Sequence, residues 1–218
     1  MHFDFLLSIG SACKTRSQTE RLMKKKDETW SQKRNFFDWL MQGGVKGVTK
    51  IFEQDLYLKA EEFEVVELNK KYIPQHKKSS LMFLHDFGMN SISRTSYEET
   101  IQTMKNNLEE TIGKYNHIRD NTKRLLQSKL SVALVYYGPI GANETTNLLA
   151  TLKNQYSKDF HVINVIEKSR QWPRNLHPSI TNLEVNDDIV GNGEDSWRGS
   201  DDEWDKAFEK ISFHPKKE

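Results

Sequence analysis

Two compact apolar runs that each lead through glycine into helix-forming sequence constrain the fold of this chain most strongly. Residues 3–9 run into Gly10 and then into a polar stretch over 11–26 that has the composition of a helix. Residues 131–137, rich in valine and tyrosine, run into a glycine-rich turn and then into a helix-forming stretch over 143–156. A buried strand followed by a turn and a helix is the repeating unit of a parallel sheet, so we predict an α/β fold.

The rest of the chain continues this alternation. We predict further strands at 63–68, 81–84, 160–166 and 180–185, and further helices at 45–55, 96–127 and 201–211. Apolar side chains recur every three or four residues along 96–127, and Gly113 is the residue expected to bend or split that helix. The prediction is one α/β domain over 1–218: three layers, a mostly parallel sheet with helices on both faces, Rossmann-like or flavodoxin-like, ending in a Gly/Asp-rich loop and a final helix over 186–218.

Composition limits the classes of partner. The 32 basic and 31 acidic residues leave a net charge of +1, which provides no global field for nucleic acid. No apolar run is long enough to cross a membrane, and the run after Asp4 is too short for a secretion signal. The single cysteine excludes an intrachain disulfide and fits a reducing compartment, so we expect a cytoplasmic protein. The oligomeric state is left open.

Ligand sites in parallel sheets lie beyond the carboxyl ends of the strands. This rule selects four segments of the chain: residues 10–13, 85–86, 138–143 and the loop after 185. Asn143 lies in the third segment and is predicted to line the edge of a site. No P-loop, no GxGxxG motif and no metal-ligand spacing occurs in the sequence, so no cofactor or metal is expected.

Cys13 is the candidate nucleophile. It falls in the first turn of a predicted helix, where the helix N-terminus favours a thiolate. Gly10 and Ser11 form the preceding turn, with Ser11 as a helix cap, and backbone N–H groups there are candidate oxyanion donors. A lone cysteine is also compatible with a small buried residue, and position alone does not choose between these interpretations.

His85 is the candidate general base, because it ends the predicted strand at 81–84 and neighbouring strand ends meet at one edge of a sheet. A histidine that only makes a hydrogen bond at a strand end is the alternative. Asp86 is predicted at the site edge but on the opposite face of the strand from His85. The residue that orients His85 is expected in the C-terminal loop. Asp187 is our first choice there, and Asp188, Asn192 and Asp195 are also placed to serve.

Aromatic residues beside acidic ones suggest the walls of a site. Asp38 and Trp39 lie in a dense aromatic patch, which fits either a substrate wall or the packing of a loop on the domain. Trp197 and Trp204 flank a tight turn before the last helix. They are interpreted either as anchors of that helix or as a sugar-stacking platform.

Taken in chain order, several of these fragments resemble one protein family. They are Ser8-Ile9-Gly10-Ser11-Ala12-Cys13, Phe37-Asp38-Trp39-Leu40, His85-Asp86-Phe87, a long helix leading into an apolar strand, and Trp197-Arg198-Gly199-Ser200-Asp201 with Trp204. The series resembles a bacterial family of unknown function that carries the label papain-like cysteine peptidase. The resemblance implies a hydrolase with Cys13 as nucleophile and His85 as base, and structural or site-edge roles for Asp38, Trp39 and Trp197.

Three functions compete at this stage. The first is a cysteine-nucleophile hydrolase or acyltransferase acting on an unidentified small-molecule, peptide or glycan substrate. The second is a non-catalytic module that binds a glycan or nucleotide-sugar at the strand ends. The third is a serine esterase of the SGNH type. Ser11 would be its nucleophile, Gly141-Ala142-Asn143 resembles the Gly-x-Asn motif of that class, and His177 would be the base. Cys13→Ala is expected to remove only the first activity.

Overall fold

Eight strands and six helices make up the part of the chain that the computed structural model describes, which is residues 2–10, 12–31, 33–41, 43–172, 174–187 and 196–216. The strands are β1 His2–Phe3, β2 Phe5–Ser8, β3 Phe63–Leu68, β4 Lys71–His76, β5 Val132–Tyr137, β6 His161–Glu167, β7 Ile180–Val185 and β8 Ser212–Phe213. The helices are α1 Cys13–Lys26, α2 Gly44–Glu53, α3 Tyr97–Asn106, α4 Leu108–Gln127, α5 Ala142–Tyr156 and α6 Asp201–Phe208.

The central sheet is parallel and has the strand order β2-β5-β6-β7. Leu7 lies opposite Leu134, and Leu134 lies opposite Val162, so apolar side chains continue across the sheet. Every residue of β2 and β5 is buried. Strands buried on both faces are continuous apolar runs rather than alternating ones, which is why these two were recognisable in the sequence. The prediction of a mixed α/β domain with a mostly parallel sheet is confirmed.

The helices pack on the sheet and on one another. Helix α1 lies against β2 and β5 and touches α6, which in turn packs on β7. Helix α2 packs with α5. The large side chains Phe36, Phe52 and Trp204 are fully buried in one continuous apolar core. Each such side chain contributes roughly 1.5–3 kcal/mol through burial.

The predicted strand at 81–84 is wrong. Met82 makes only isolated bridges, to Met41 and to Gln75, while Leu81 and Phe83 are buried in the core. The adjoining chain forms an antiparallel hairpin of β3 and β4 instead of joining the parallel sheet. A short apolar run shows only that a segment is buried. The spacing of its apolar residues does not distinguish a strand from a packed loop.

The long amphipathic helix divides at Asn107 rather than at Gly113. The Asn107 side chain donates to the Thr103 carbonyl over 2.8 Å, and this local bond competes with continuation of the helix. A methyl group at Gly113 would meet nothing within 4 Å, and α4 continues through that residue. Within the described residues, no helix has the length and apolar character needed to cross a membrane.

Candidate functional site

The turn from β2 into α1 places Cys13 at the first position of the helix. The Ile9 N–H donates to the Val135 carbonyl over 3.0 Å, so β2 stays paired to its end. Gly10 then adopts φ +94°, a conformation that side-chain-bearing residues rarely take. Ala12 is the extended N-cap residue of α1. Ser11, predicted as cap and oxyanion donor, lies outside the described residues.

Three separate segments meet at the Cys13 thiol. Its Sγ lies 3.8 Å from Nε2 of His85 and 4.0 Å from the backbone carbonyl oxygen of Trp39. Cys13 is half-buried, whereas His85 is exposed. The Trp39 ring stands nearly perpendicular to the His85 ring, with centroids 6.1 Å apart. The Cys13 thiol, the His85 imidazole and the Trp39 ring therefore lie together at one place on the surface.

The thiol is not a resting thiolate. Burial raises the pKa of Cys13 above its usual value, and the smaller effect of its own backbone N–H does not reverse this. Desolvation, which disfavours the charged form, thus opposes at Cys13 the effect expected of the helix N-terminus, which favours the thiolate. A proton acceptor is needed when the sulfur reacts, and the titratable nitrogen His85 Nε2 lies 3.8 Å from it.

Asp86 belongs to a buried polar cluster that holds the backbone next to His85. Its two oxygens accept from Arg34 Nη2 at 3.2 and 3.3 Å, from Lys114 Nζ at 2.7 Å and from the Tyr115 hydroxyl at 2.8 Å. Burial raises the pKa of Asp86, but the two cations outweigh it and hold the pKa below the usual value. Asp86 therefore anchors the His85 segment and does not line the site edge as predicted.

Asp38 does the same for the segment that carries Trp39. It is fully buried, accepts from the Asn35 N–H at 2.7 Å and pairs with Arg16 Nε at 3.2 Å. Burial raises its pKa to about 6, despite the nearby Arg16 charge. Trp39 follows with φ +68°, in the left-handed region. Asp38 is thus a support behind the site edge, and Trp39 supplies the edge itself.

Asp187 does not orient His85. One of its oxygens accepts from Lys14 Nζ at 2.9 Å, and the carboxylate also accepts from the Ser200 N–H and from Trp204 Nε1. A Cβ at Gly199 would lie 2.6 Å from Asp187, so the turn there closes directly on the carboxylate. No described residue hydrogen-bonds the other nitrogen of His85. Asp188, Asn192 and Asp195 lie outside the described residues.

The segment before α6 is fastened along α1 and brings Trp197 to the site. Gln18 Nε2 donates to the Arg198 carbonyl at 2.9 Å and to the Asp201 carboxylate at 2.8 Å. Trp197 is 43% exposed and lies 5.9 Å from Trp39 between ring centroids. The two rings border an open groove of about 370 Å³ against α1. Trp204 is fully buried and stacks on Phe208, so it anchors α6 rather than forming a platform.

The remaining candidates lie apart from this cluster. Asn143 is exposed in the first turn of α5. His177 accepts from the Ser179 N–H, and the Ser179 carbonyl accepts from Val162 at the start of β6. His177 therefore lies at the amino edge of the sheet, opposite the turn at Gly10. In the described part of the chain, no cluster of His, Cys, Asp or Glu is able to hold a metal.

Sequence reasoning missed the two arginines that support the site. Arg16 and Arg34 pair with Asp38 and Asp86, each of which adjoins a residue that contacts Cys13. The sequence does contain one sign of them: an acidic residue stands directly beside each candidate, Asp38 beside Trp39 and Asp86 beside His85, in a segment with enough apolar residues to be buried. A buried carboxylate needs a cationic partner, but the sequence does not identify which of 32 basic residues supplies it.

Comparisons with protein families, with curated proteins and with solved structures return no significant match to this chain.

Proposed function

We propose that this chain is a cysteine-nucleophile hydrolase or acyltransferase, with Cys13 as nucleophile and His85 as general base. The distance of 3.8 Å between Cys13 Sγ and His85 Nε2 carries the proposal. Apo sites commonly hold such pairs somewhat longer than a finished hydrogen bond. The first turn of α1 adds the Cys13 and Lys14 N–H groups, which have no backbone acceptor in the described residues and suit a developing oxyanion.

The reaction begins with a neutral thiol because burial keeps the proton on sulfur. Sγ attacks the carbonyl carbon of the substrate while His85 Nε2 takes the thiol proton. The tetrahedral intermediate collapses, the bond to the leaving group breaks, and His85 returns the proton to that group. Water or another nucleophile then attacks the thioester, with His85 again taking the proton, and the thiol is regenerated.

The test uses p-nitrophenyl acetate as an acyl donor. We expect release of p-nitrophenolate and a mass increase of one acetyl group on the peptide that contains Cys13. His85→Ala is expected to slow acetylation by at least about 100-fold, as for loss of a general base. Cys13→Ala is expected to abolish it.

His161→Ala is the matched control, since His161 hydrogen-bonds Thr181 on the central sheet and has no contact with Cys13. It is expected to react like the wild type. Acetylation of Cys13 at an unchanged rate in His85→Ala would contradict the Cys–His pair. The rate at which iodoacetamide alkylates Cys13 should also rise with pH. The midpoint of that rise is expected above the usual thiol pKa, because burial raises the pKa of Cys13.

A non-catalytic glycan-binding function is the second candidate, and the pair formed by the half-buried Trp39 and the exposed Trp197 favours it. Two tryptophan rings beside a polar groove are suited to stacking on sugar rings. This function predicts that Trp197→Ala abolishes retention on a glycan array while Cys13→Ala leaves retention unchanged. If Cys13→Ala abolishes acyl transfer and no glycan is retained, the catalytic proposal stands alone.

The serine esterase of the SGNH type receives no support from the position of His177. We retain two finer proposals from the sequence. One is a three-layer, Rossmann-like arrangement, supported by α1 and α6 packing together on the sheet while α2 packs with α5. The other is a cytoplasmic location, supported by the single free cysteine.

A further inference from the structure

Strand β7 is the edge strand of the central sheet at the end opposite β2, and half of its residues are only partly buried. The Val162 N–H donates to the Ser179 carbonyl over 2.9 Å, and Val162 is the register partner of Ile180. In a parallel pair with this register, the backbone groups of Asn182 and Glu184 point away from β6. Within the described residues these groups have no backbone partner. An edge of this kind is a template for one further strand.

A groove of about 550 Å³ follows this edge, between β7 and α6. Its walls carry four cationic side chains, Lys168, Arg174, Lys206 and Lys210. Leu176 also lines the groove and is 90% exposed, the largest exposed fraction among the large apolar side chains described. The groove therefore combines backbone groups that have no backbone partner among the described residues, positive charge and an apolar contact.

The positive charge is only partly neutralised from within the chain. Arg174 pairs with Glu184 at 2.6 Å, and Lys206 lies 3.4 Å from Glu203. Lys168 and Lys210 have no ion pair in the described part of the chain. Lysine at a sheet edge often serves to repel other strands, but here the cations lie on both sides of the edge, where they suit an acidic strand.

We propose that β7 binds an extended acidic segment of a partner protein, which adds to the sheet as a fifth strand. Its backbone pairs with the outward groups of Asn182 and Glu184. Its acidic side chains face the lysines, and its apolar side chains cover Leu176. Main-chain hydrogen bonds supply affinity in this mode of recognition, and the side-chain contacts supply selectivity. This inference is independent of the function proposed for Cys13.

The experiment measures fluorescence anisotropy of a short labelled peptide of alternating glutamate and valine, with the full chain. The matched peptide has lysine in place of glutamate. We expect the glutamate peptide to bind, and the lysine peptide to bind at least about tenfold more weakly because of charge repulsion. Amide hydrogen exchange at Asn182 and Glu184 is expected to slow when the glutamate peptide binds.

Two variants test the two parts of the proposal. Lys206→Glu with Lys210→Glu reverses the two positive charges on α6 and on the turn that follows it, and is expected to weaken binding about tenfold or more. Glu184→Pro removes one outward N–H but no bond to β6, and is expected to weaken binding. Glu184→Ala is its control, because it also loses the Arg174 ion pair but keeps the N–H. Circular dichroism checks that each variant is folded.

Equal binding of both peptides would overturn the proposal, since charge would play no part. Binding that leaves exchange at Asn182 and Glu184 unchanged, with Glu184→Pro as tight as Glu184→Ala, would overturn strand addition and leave only an ionic patch. Absence of binding by the glutamate peptide at millimolar concentration would also overturn it. Self-association of the chain through β7, seen by sedimentation, would replace the acidic partner with a second copy.

Discussion

The two edges of the central sheet are built in opposite ways. At one edge every residue of β2 is buried, and Phe5 packs against Trp30 with ring centroids 5.7 Å apart. At the other edge Asn182 and Glu184 of β7 are half-exposed beside an open groove. The thiol and its partners are positioned from the covered edge. Buried surroundings fix a side chain more firmly than an open edge does. The β2 edge therefore suits the precise positioning that catalysis needs, and the β7 edge suits the binding of a partner.

The ion pairs follow the same division. On the β2 side, Asp86 and Asp38 are buried carboxylates paired with Arg34 and Arg16. On the β7 side, the Arg174–Glu184 pair is largely exposed to solvent. Removing one partner of a buried pair leaves an uncompensated charge, whereas exposed pairs contribute little. The following substitutions test how far this difference extends.

Asp86→Ala should have the largest effect on stability. It leaves Arg34 and the Tyr115 hydroxyl without their buried acceptor, which costs about 3–5 kcal/mol for a buried pair. Urea unfolding measures the loss, and reactivity of Cys13 should fall in parallel because His85 is the adjacent residue. A loss below about 1 kcal/mol would mean that the cluster relaxes and does not hold the site.

Asp38→Asn should change how stability depends on pH. The folded-state pKa of Asp38 is raised to about 6, above its unfolded value, so its contribution is complete below about pH 4 and is lost as the pH rises through 6. The wild type should lose up to about 3 kcal/mol over that interval, at 1.36 kcal/mol per pKa unit, relative to the variant. Asp120→Asn, at an exposed position on α4, is the control and should leave the wild-type profile unchanged.

Gly10→Ala should cost about 1–3 kcal/mol, because φ +94° strains any residue with a side chain. A Cβ there meets nothing within 4 Å, so the loss measures backbone strain alone. Gly113→Ala in α4 is the matched control. It should instead stabilise the fold by about 0.5–1 kcal/mol, since alanine is the better helix former. Thermal unfolding measures both variants. Equal changes in stability at the two glycines would show that the backbone at Gly10 is not strained by a side chain.

Glu184→Gln should have the smallest effect, within about 0.5 kcal/mol, because it breaks only the exposed pair with Arg174. Chemical denaturation at low and high salt measures it. A loss as large as that of Asp86→Ala would erase the difference between the two edges.

The sequence predicted the parallel sheet and named Cys13 and His85 as a candidate pair, although the expectation that they lie close together rested on a strand that does not form. His85 reaches the thiol from a loop that Asp86 anchors in the core. The prediction that Asp187 orients His85 is wrong for a related reason. Asp187 has many potential partners, and its choice of Lys14 and Trp204 depends on packing between segments far apart in the chain. Strand periodicity is local, whereas these pairings are not.

The pairing of β2 with β5 has a consequence for synthesis of the chain. Leu6 and Leu7 find their register partners only at Ala133 and Leu134. While the ribosome makes the intervening residues, the apolar strand β2 has been made without its sheet neighbour β5. Contacts of such sequence separation slow folding and leave apolar surface open to chaperones or to other nascent chains. The strand that leads into Cys13 can thus join the sheet only after β5 has emerged.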